Sequence, residues 1–122
     1  MKIEVSIGEV LDKISILEIK NNKIKDHEKL KNIKKEFDIL TKYYPKYKDE
    51  PEYNNLLKIN SLLWEIEDRL RLKEKSKVFD EEFIKLARDV YFTNDKRSEI
   101  KKDINVRLGS NLIEEKSYKK YS

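Results

Sequence analysis

Apolar residues recur at helical spacing through most of this chain. Ile7, Val10, Leu11, Ile14, Leu17 and Ile24 form one stripe, and Leu30, Ile33, Phe37, Leu40 and Tyr44 form another with clean 3-4-3-4 spacing. Between them the phase slips at Lys25-Asp26-His27-Glu28. Two readings follow: one helix over 7–43 with a shifted stripe, or two helices with Asp26 as the cap of the second. Pro45 and Pro51 then bracket a loop rich in Tyr and Lys, and Pro51 suits the first helical position of the next element. That element follows Tyr53, Leu56, Ile59, Leu63, Ile66 and Leu70 and ends near Lys75. A third begins with Asp80 as N-cap, Glu81 and Glu82 in the first turn, and Phe79 placed to staple onto Ile84. Its stripe reads Phe83, Ala87, Val90, Asn94, Arg97, Lys101, Ile104 and Leu108, with Gly109 at C′. The polar middle of this stripe also fits a break, with Thr93 or Asn94 capping a fresh helix.

The pattern predicts an all-α domain over 1–122: three long helices in an antiparallel bundle, the first and third open to a break, with 1–5 as an extended arm and 110–122 as a tail. Ser6 and Glu9 form an S-x-x-E capping box at the first helix, with Gly8 inside its first turn. An unbroken first helix would be about 55 Å long, against a radius of gyration of about 14 Å for a compact chain of this size. Its far half, Leu30, Ile33, Phe37 and Leu40, would then need cover from a second copy, so an intertwined homodimer is expected. A break at Asp26 would instead allow a monomeric four-helix bundle.

Composition narrows the chemistry. Apolar residues are 38% and charged residues 43% of the 122, which suits helices with one narrow stripe and wide solvated faces. No cysteine is present, so disulfides, thiol catalysis and thiolate metal sites are excluded. The segment MKIEVSIGEV lacks the apolar run of a signal peptide, and no stretch is apolar enough for a membrane span, so a cytoplasmic location is expected. The net charge of +4 is unevenly spread, with ten lysines between Lys20 and Lys48 against four carboxylates. Such a segment can neutralise phosphates, yet 23 of the 28 basic residues are lysine, which lacks the planar fork of arginine. Only weak nucleic-acid binding is expected of it.

Catalytic groups are scarce in this sequence. His27 is the single histidine, two glycines far apart cannot build a phosphate loop, and no metal or cofactor is expected. What remains is polar residues on rows that should face inward: Lys13 on the first helix, Asn60 and Glu67 on the second, and Asn94, Arg97 and Lys101 on the third. Such groups either pair with one another or wait for a ligand. Arg97 in particular needs an anion from Glu67, Asp12 or a small anionic ligand.

The runs IGEVLDKISILEIK, LWEIEDRLR, FDEEFIKLARDVYFTNDKRSEIKKDIN and GSNLIEEKSY resemble an uncharacterised family of small helical bacterial and phage proteins, a domain of unknown function. Its members are similar to domains found near or joined to glycan-synthesis proteins, which implies a link to surface-polysaccharide work. The resemblance places candidate functional positions at Glu9, Asp12, Lys13, Glu67, Asp68, Asn94, Asp95, Arg97, Glu115 and Lys116. In architecture the chain also resembles the all-helical chorismate mutases, intertwined dimers that bind a dicarboxylate among arginines and lysines. Their Arg-Glu pair on the second helix falls here on Leu62-Leu63, and lysines replace the arginines of the first helix. A helical binding or interaction module is the resulting expectation, with small-anion binding or an enzyme of that type as the alternative.

Overall fold

The computed structural model describes residues 1–119; the end of the expected 110–122 tail lies outside the described residues. Among the described residues there are four α-helices rather than three: α1 (Ile7–Lys23), α2 (His27–Tyr43), α3 (Tyr53–Ser76) and α4 (Glu81–Arg107), with a 3₁₀ turn at Tyr47–Asp49 between α2 and α3. The phase slip is a break. The Asp26 carboxylate accepts from the Lys29 N–H at 3.0 Å, capping α2, while α1 stops at Ile24. The third segment does not break, because α4 runs through Thr93 and Asn94. Met1–Val5 belongs to no helix or strand. None of the described helices is long and apolar enough to cross a membrane.

The break removes the geometric reason for a second chain. A 17-residue helix is about 25 Å long and no longer overshoots the domain. α2 folds back on α1, and Phe37, Leu40 and Tyr44 pack against a core of Leu11, Ile14, Tyr53, Leu56 and Ile104 in the same chain. Tyr47, from the loop between the prolines, enters that core edge-on to Phe37 and Tyr53, with centroids 6.2 and 5.0 Å away.

α1 is the central helix: it packs on α2, α3 and α4, whereas α2 packs chiefly on α1. Gly8, Leu11, Asp12, Ile14, Ser15, Leu17 and Ile19 of α1 are therefore all buried. Cross-chain pairs fix the directions. Gly8 meets Asn105 and Asp12 meets Arg97, so α1 runs antiparallel to α4; Glu52 meets Arg107 and Lys73 meets Asp80, so α3 does too.

Helix ends mostly follow their expected chemistry. Asp80 caps α4 through the Phe83 N–H at 2.9 Å, and Ser6 caps α1 through the Glu9 N–H at 3.2 Å. The capping box is only half made, because the Glu9 carboxylate turns to Lys101 instead of back to Ser6. Phe79 makes its ring contact with Phe83, at 5.1 Å, rather than stapling onto Ile84, which stays exposed. Gly109 takes φ +63° as expected at C′, and the Ser110 N–H reaches back to the Asn105 carbonyl at 2.8 Å. α3 begins at Tyr53, two residues past Pro51.

At the other end of α3, Lys77 adopts φ 57°, ψ 36° while the Val78 N–H closes on the Lys73 carbonyl at 3.0 Å. A left-handed residue here is what the helix stop requires, and a Cβ makes it costly. Lys77→Gly is expected to raise stability by about 1 kcal/mol; a chemical-denaturation midpoint unchanged or lowered would contradict this.

The loop before α3 is clamped to the end of α4. The Arg107 Nε donates to Glu52 at 2.7 Å, and its terminal nitrogen bonds both Glu50 and Glu52. Glu50 also accepts from the Tyr44 hydroxyl at 2.9 Å. The Arg107 hydrogen bonds hold both carboxyls below their ordinary value of 4.5. A depressed native pKa stabilises fully above the unfolded value and is lost as pH falls through the native one. Stability is thus expected to decline as pH drops below 4.5, and less so in Arg107→Ala. Parallel acid-denaturation curves for the two proteins would refute the clamp.

Candidate functional site

The inward polar residues meet at the α1–α3–α4 junction. Because α1 is central, Asp12 on its buried side is only 1% exposed, and such a carboxylate must be paired and hydrogen-bonded. Arg97 Nε donates to Asp12 Oδ1 at 2.9 Å, and a second bond joins the guanidinium to Oδ2, making the pair bidentate. Asn60 Nδ2 donates to the same Oδ1 at 2.9 Å and to the Ser15 hydroxyl at 2.8 Å. Ser15 in turn donates to the Asp12 carbonyl at 2.6 Å. The Asp12 hydrogen bond and charge raise the Arg97 pKa above its ordinary value, keeping it cationic.

One turn further along α4, Lys101 Nζ bonds Glu9 at 2.7 Å and lies 3.7 Å from Glu114. Among the described residues, no buried side-chain nitrogen or oxygen lacks a partner. The α1 N-terminus is satisfied in the same way. Besides Ser6, Asn105 Oδ1 accepts from the Gly8 N–H at 2.7 Å and Ser110 Oγ from the Ile7 N–H at 3.1 Å. Asn105 and Ser110 were not singled out from sequence, because their partners are backbone groups about a hundred residues away.

Asn94, Arg97 and Lys101 line one wall of a groove of about 610 Å³ between α4 and residues 110–118, together with Tyr91, Asp95 and Ser98. Glu114, Lys116 and Tyr118 form the opposite wall. The cationic groups of the groove are thus Arg97, Lys101 and Lys116, and Lys116 bonds Glu114 at 2.8 Å. Ser98, Tyr91, Glu114 and Tyr118 had no sequence signal of their own beyond the run GSNLIEEKSY and the α4 run that carry the family resemblance.

The other expected residues go elsewhere. Lys13 sits half-exposed and pairs with Glu36 at 3.4 Å, and Glu67 and Asp68 are exposed. Glu67 follows Asn60 and Leu63 at helical spacing, yet it is exposed where they are buried. Glu67 is therefore not the Arg97 partner; Asp12 is. Glu115 pairs with Lys102 at 2.9 Å on the surface. Among the described residues no cluster of His, Asp or Glu is suited to hold a metal ion, and His27 is exposed at the start of α2.

A four-helix chain with a closed ion-pair row and a polar groove beside it is the class that these observations define. The chain belongs to DUF6165, a family of unknown function, which it matches over residues 1–121. No curated protein and no solved structure matches it.

Proposed function

We propose that this chain is a binding module that holds a small, anionic, hydroxyl-bearing ligand in the groove between α4 and residues 110–118. The observation that carries the reading is the meeting of Asn94, Arg97 and Lys101 on one wall. Each stands on the inward row of α4, and they share the groove with two tyrosines and Ser98. The volume lies in the range of about 300–1,000 Å³ that small-ligand sites occupy. Cations suit a phosphate or carboxylate, the amide and hydroxyl suit ring hydroxyls, and tyrosine rings suit the apolar face of a sugar. That combination agrees with the glycan link implied by the sequence resemblance. It does not require catalysis, since Arg97 and Lys101 are already held by Asp12 and Glu9.

The nucleic-acid alternative has weaker support. Lys31, Lys35 and Lys42 fall within about 40° of each other on the outer side of α2 at 100° per residue, but Glu28 and Asp38 flank them. Thermal unfolding with sugar phosphates, nucleotide sugars, dicarboxylates and short duplexes tests the proposal. A ligand at a hundred times its Kd is expected to stabilise by about 2.7 kcal/mol. Asn94→Ala, which removes no hydrogen bond to another of the described residues, should abolish that gain while leaving the unliganded protein as stable as the parent. Stabilisation by duplexes alone, or by nothing, would defeat the reading.

A further inference from the structure

The groove contains an acidic side chain in the position an acidic ligand would take. Glu114 lies on the non-helical segment after α4, with one carboxylate oxygen 2.8 Å from Lys116 Nζ and the other 3.7 Å from Lys101 Nζ. Arg97 adds its charge from the same wall. The Lys116 hydrogen bond holds the Glu114 carboxyl below the usual carboxylate range, with Lys101 adding to it, so Glu114 is ionised at neutral pH. Lys101 reaches it from a side chain only 12% exposed that Glu9 fixes from the other side.

The segment carrying Glu114 is non-helical, is tied to the N-terminal arm by Asn111 donating to Glu4, and has exposed contacts further on. Ser110 anchors its start, by accepting from Ile7 and donating to the Leu112 carbonyl at 2.7 Å. Beyond that point its attachments to α4 include the Lys102–Glu115 pair, whose side chains are 50% and 70% exposed. Ion pairs this exposed contribute about 0–1 kcal/mol each. Leu112 and Ile113 remain partly exposed rather than seated in the core. The Glu114 side chain is itself 43% exposed, so an anion with a stronger demand for Lys101 and Lys116 can reach its place from solvent.

We infer that Glu114 is an internal competitor: its carboxylate occupies the anion position of the groove, and a phosphate- or carboxylate-bearing sugar binds by displacing it from between Lys101 and Lys116. This rests on the groove being the ligand site, and it adds how the site is kept closed when empty. The segment 110–118 stays as one wall of the groove: ligand binding displaces the Glu114 side chain, while Lys116 and Tyr118 remain to meet the ligand.

Isothermal titration with glucose 1-phosphate, inorganic phosphate and, as a neutral control, glucose tests the inference on the full chain and on Glu114→Gln and Lys101→Met. If the carboxylate fills the site about nine-tenths of the time, Glu114→Gln should bind glucose 1-phosphate about tenfold more tightly. Its affinity for glucose should not change, and Lys101→Met should lose the phosphate compounds. Binding that is lost in Lys101→Met but unaltered or weakened in Glu114→Gln overturns the competitor and leaves the groove standing. No binding of the phosphate compounds to any of the three proteins overturns the groove and the competitor together.

Discussion

Arg97→Leu is expected to destabilise the protein by about 3 kcal/mol, the lower end of the range for removing one partner of a buried ion pair. The loss comes from what remains. Asp12 is 1% exposed and would keep only the Asn60 amide as a donor to its carboxylate. The lower end applies because Arg97 itself is 27% exposed, so water replaces part of what the guanidinium supplied. Arg97→Leu with Asp12→Leu should recover much of the loss, giving a coupling energy of about 2 kcal/mol in a double-mutant cycle by urea denaturation. Arg97→Leu with Glu67→Leu should be additive, since Glu67 is exposed. An additive cycle with Asp12 would mean that the pair does not hold α1 to α4.

Gly8→Ala is the second change expected to be severe, at about 1–3 kcal/mol, the usual cost of overpacking. A Cβ at Gly8 would stand 2.6 Å from the Lys101 carbonyl oxygen and 2.9 Å from Asn105 Oδ1. The first is backbone of a 27-residue helix and cannot rotate away. The second is a buried acceptor already used by the Gly8 N–H, so moving it leaves that donor unpaired. The remaining way out is to separate α1 from α4, which weakens the Asp12–Arg97 and Glu9–Lys101 pairs on the same seam. Relief of a helix-interior glycine by alanine would by itself stabilise by roughly 0.5–1 kcal/mol. A denaturation midpoint that rises in Gly8→Ala would therefore show that the two helices are not in close contact there.

Gly8 illustrates where sequence reading runs out. In a chain with two glycines it stands out at once, and its place in the first turn of α1 was evident. That a facing helix approaches it too closely for any side chain was not, because the approaching carbonyl belongs to Lys101. The candidate site was legible in part for the same reason. The inward row on α4 brings Asn94, Arg97 and Lys101 to one groove. A comparable row on α3 misplaced Glu67: at about 100° per residue it shares the face of Asn60 and Leu63 but is exposed, because spacing along one helix does not say how far along it a neighbouring helix covers that face.

Local signals carried most of the secondary structure. Helical spacing, the Asp26 and Asp80 caps, the prolines and Gly109 act within a few residues, so their energetics are written in neighbouring positions, and three helical segments and most of their ends could be argued from them. Tertiary structure decided three things. It chose the break at Asp26, because two short helices folding back bury the Phe37 and Leu40 stripe in the same chain while one long helix leaves it uncovered. It made α1 central, which buried Asp12 and Ser15 and obliged Arg97 and Asn60 to answer them. It brought residues 110–118 against α4, closing the groove and setting Glu114 between two lysines. Each of these rests on groups far apart in sequence, whose pairing depends on how the helices pack and not on any spacing along the chain.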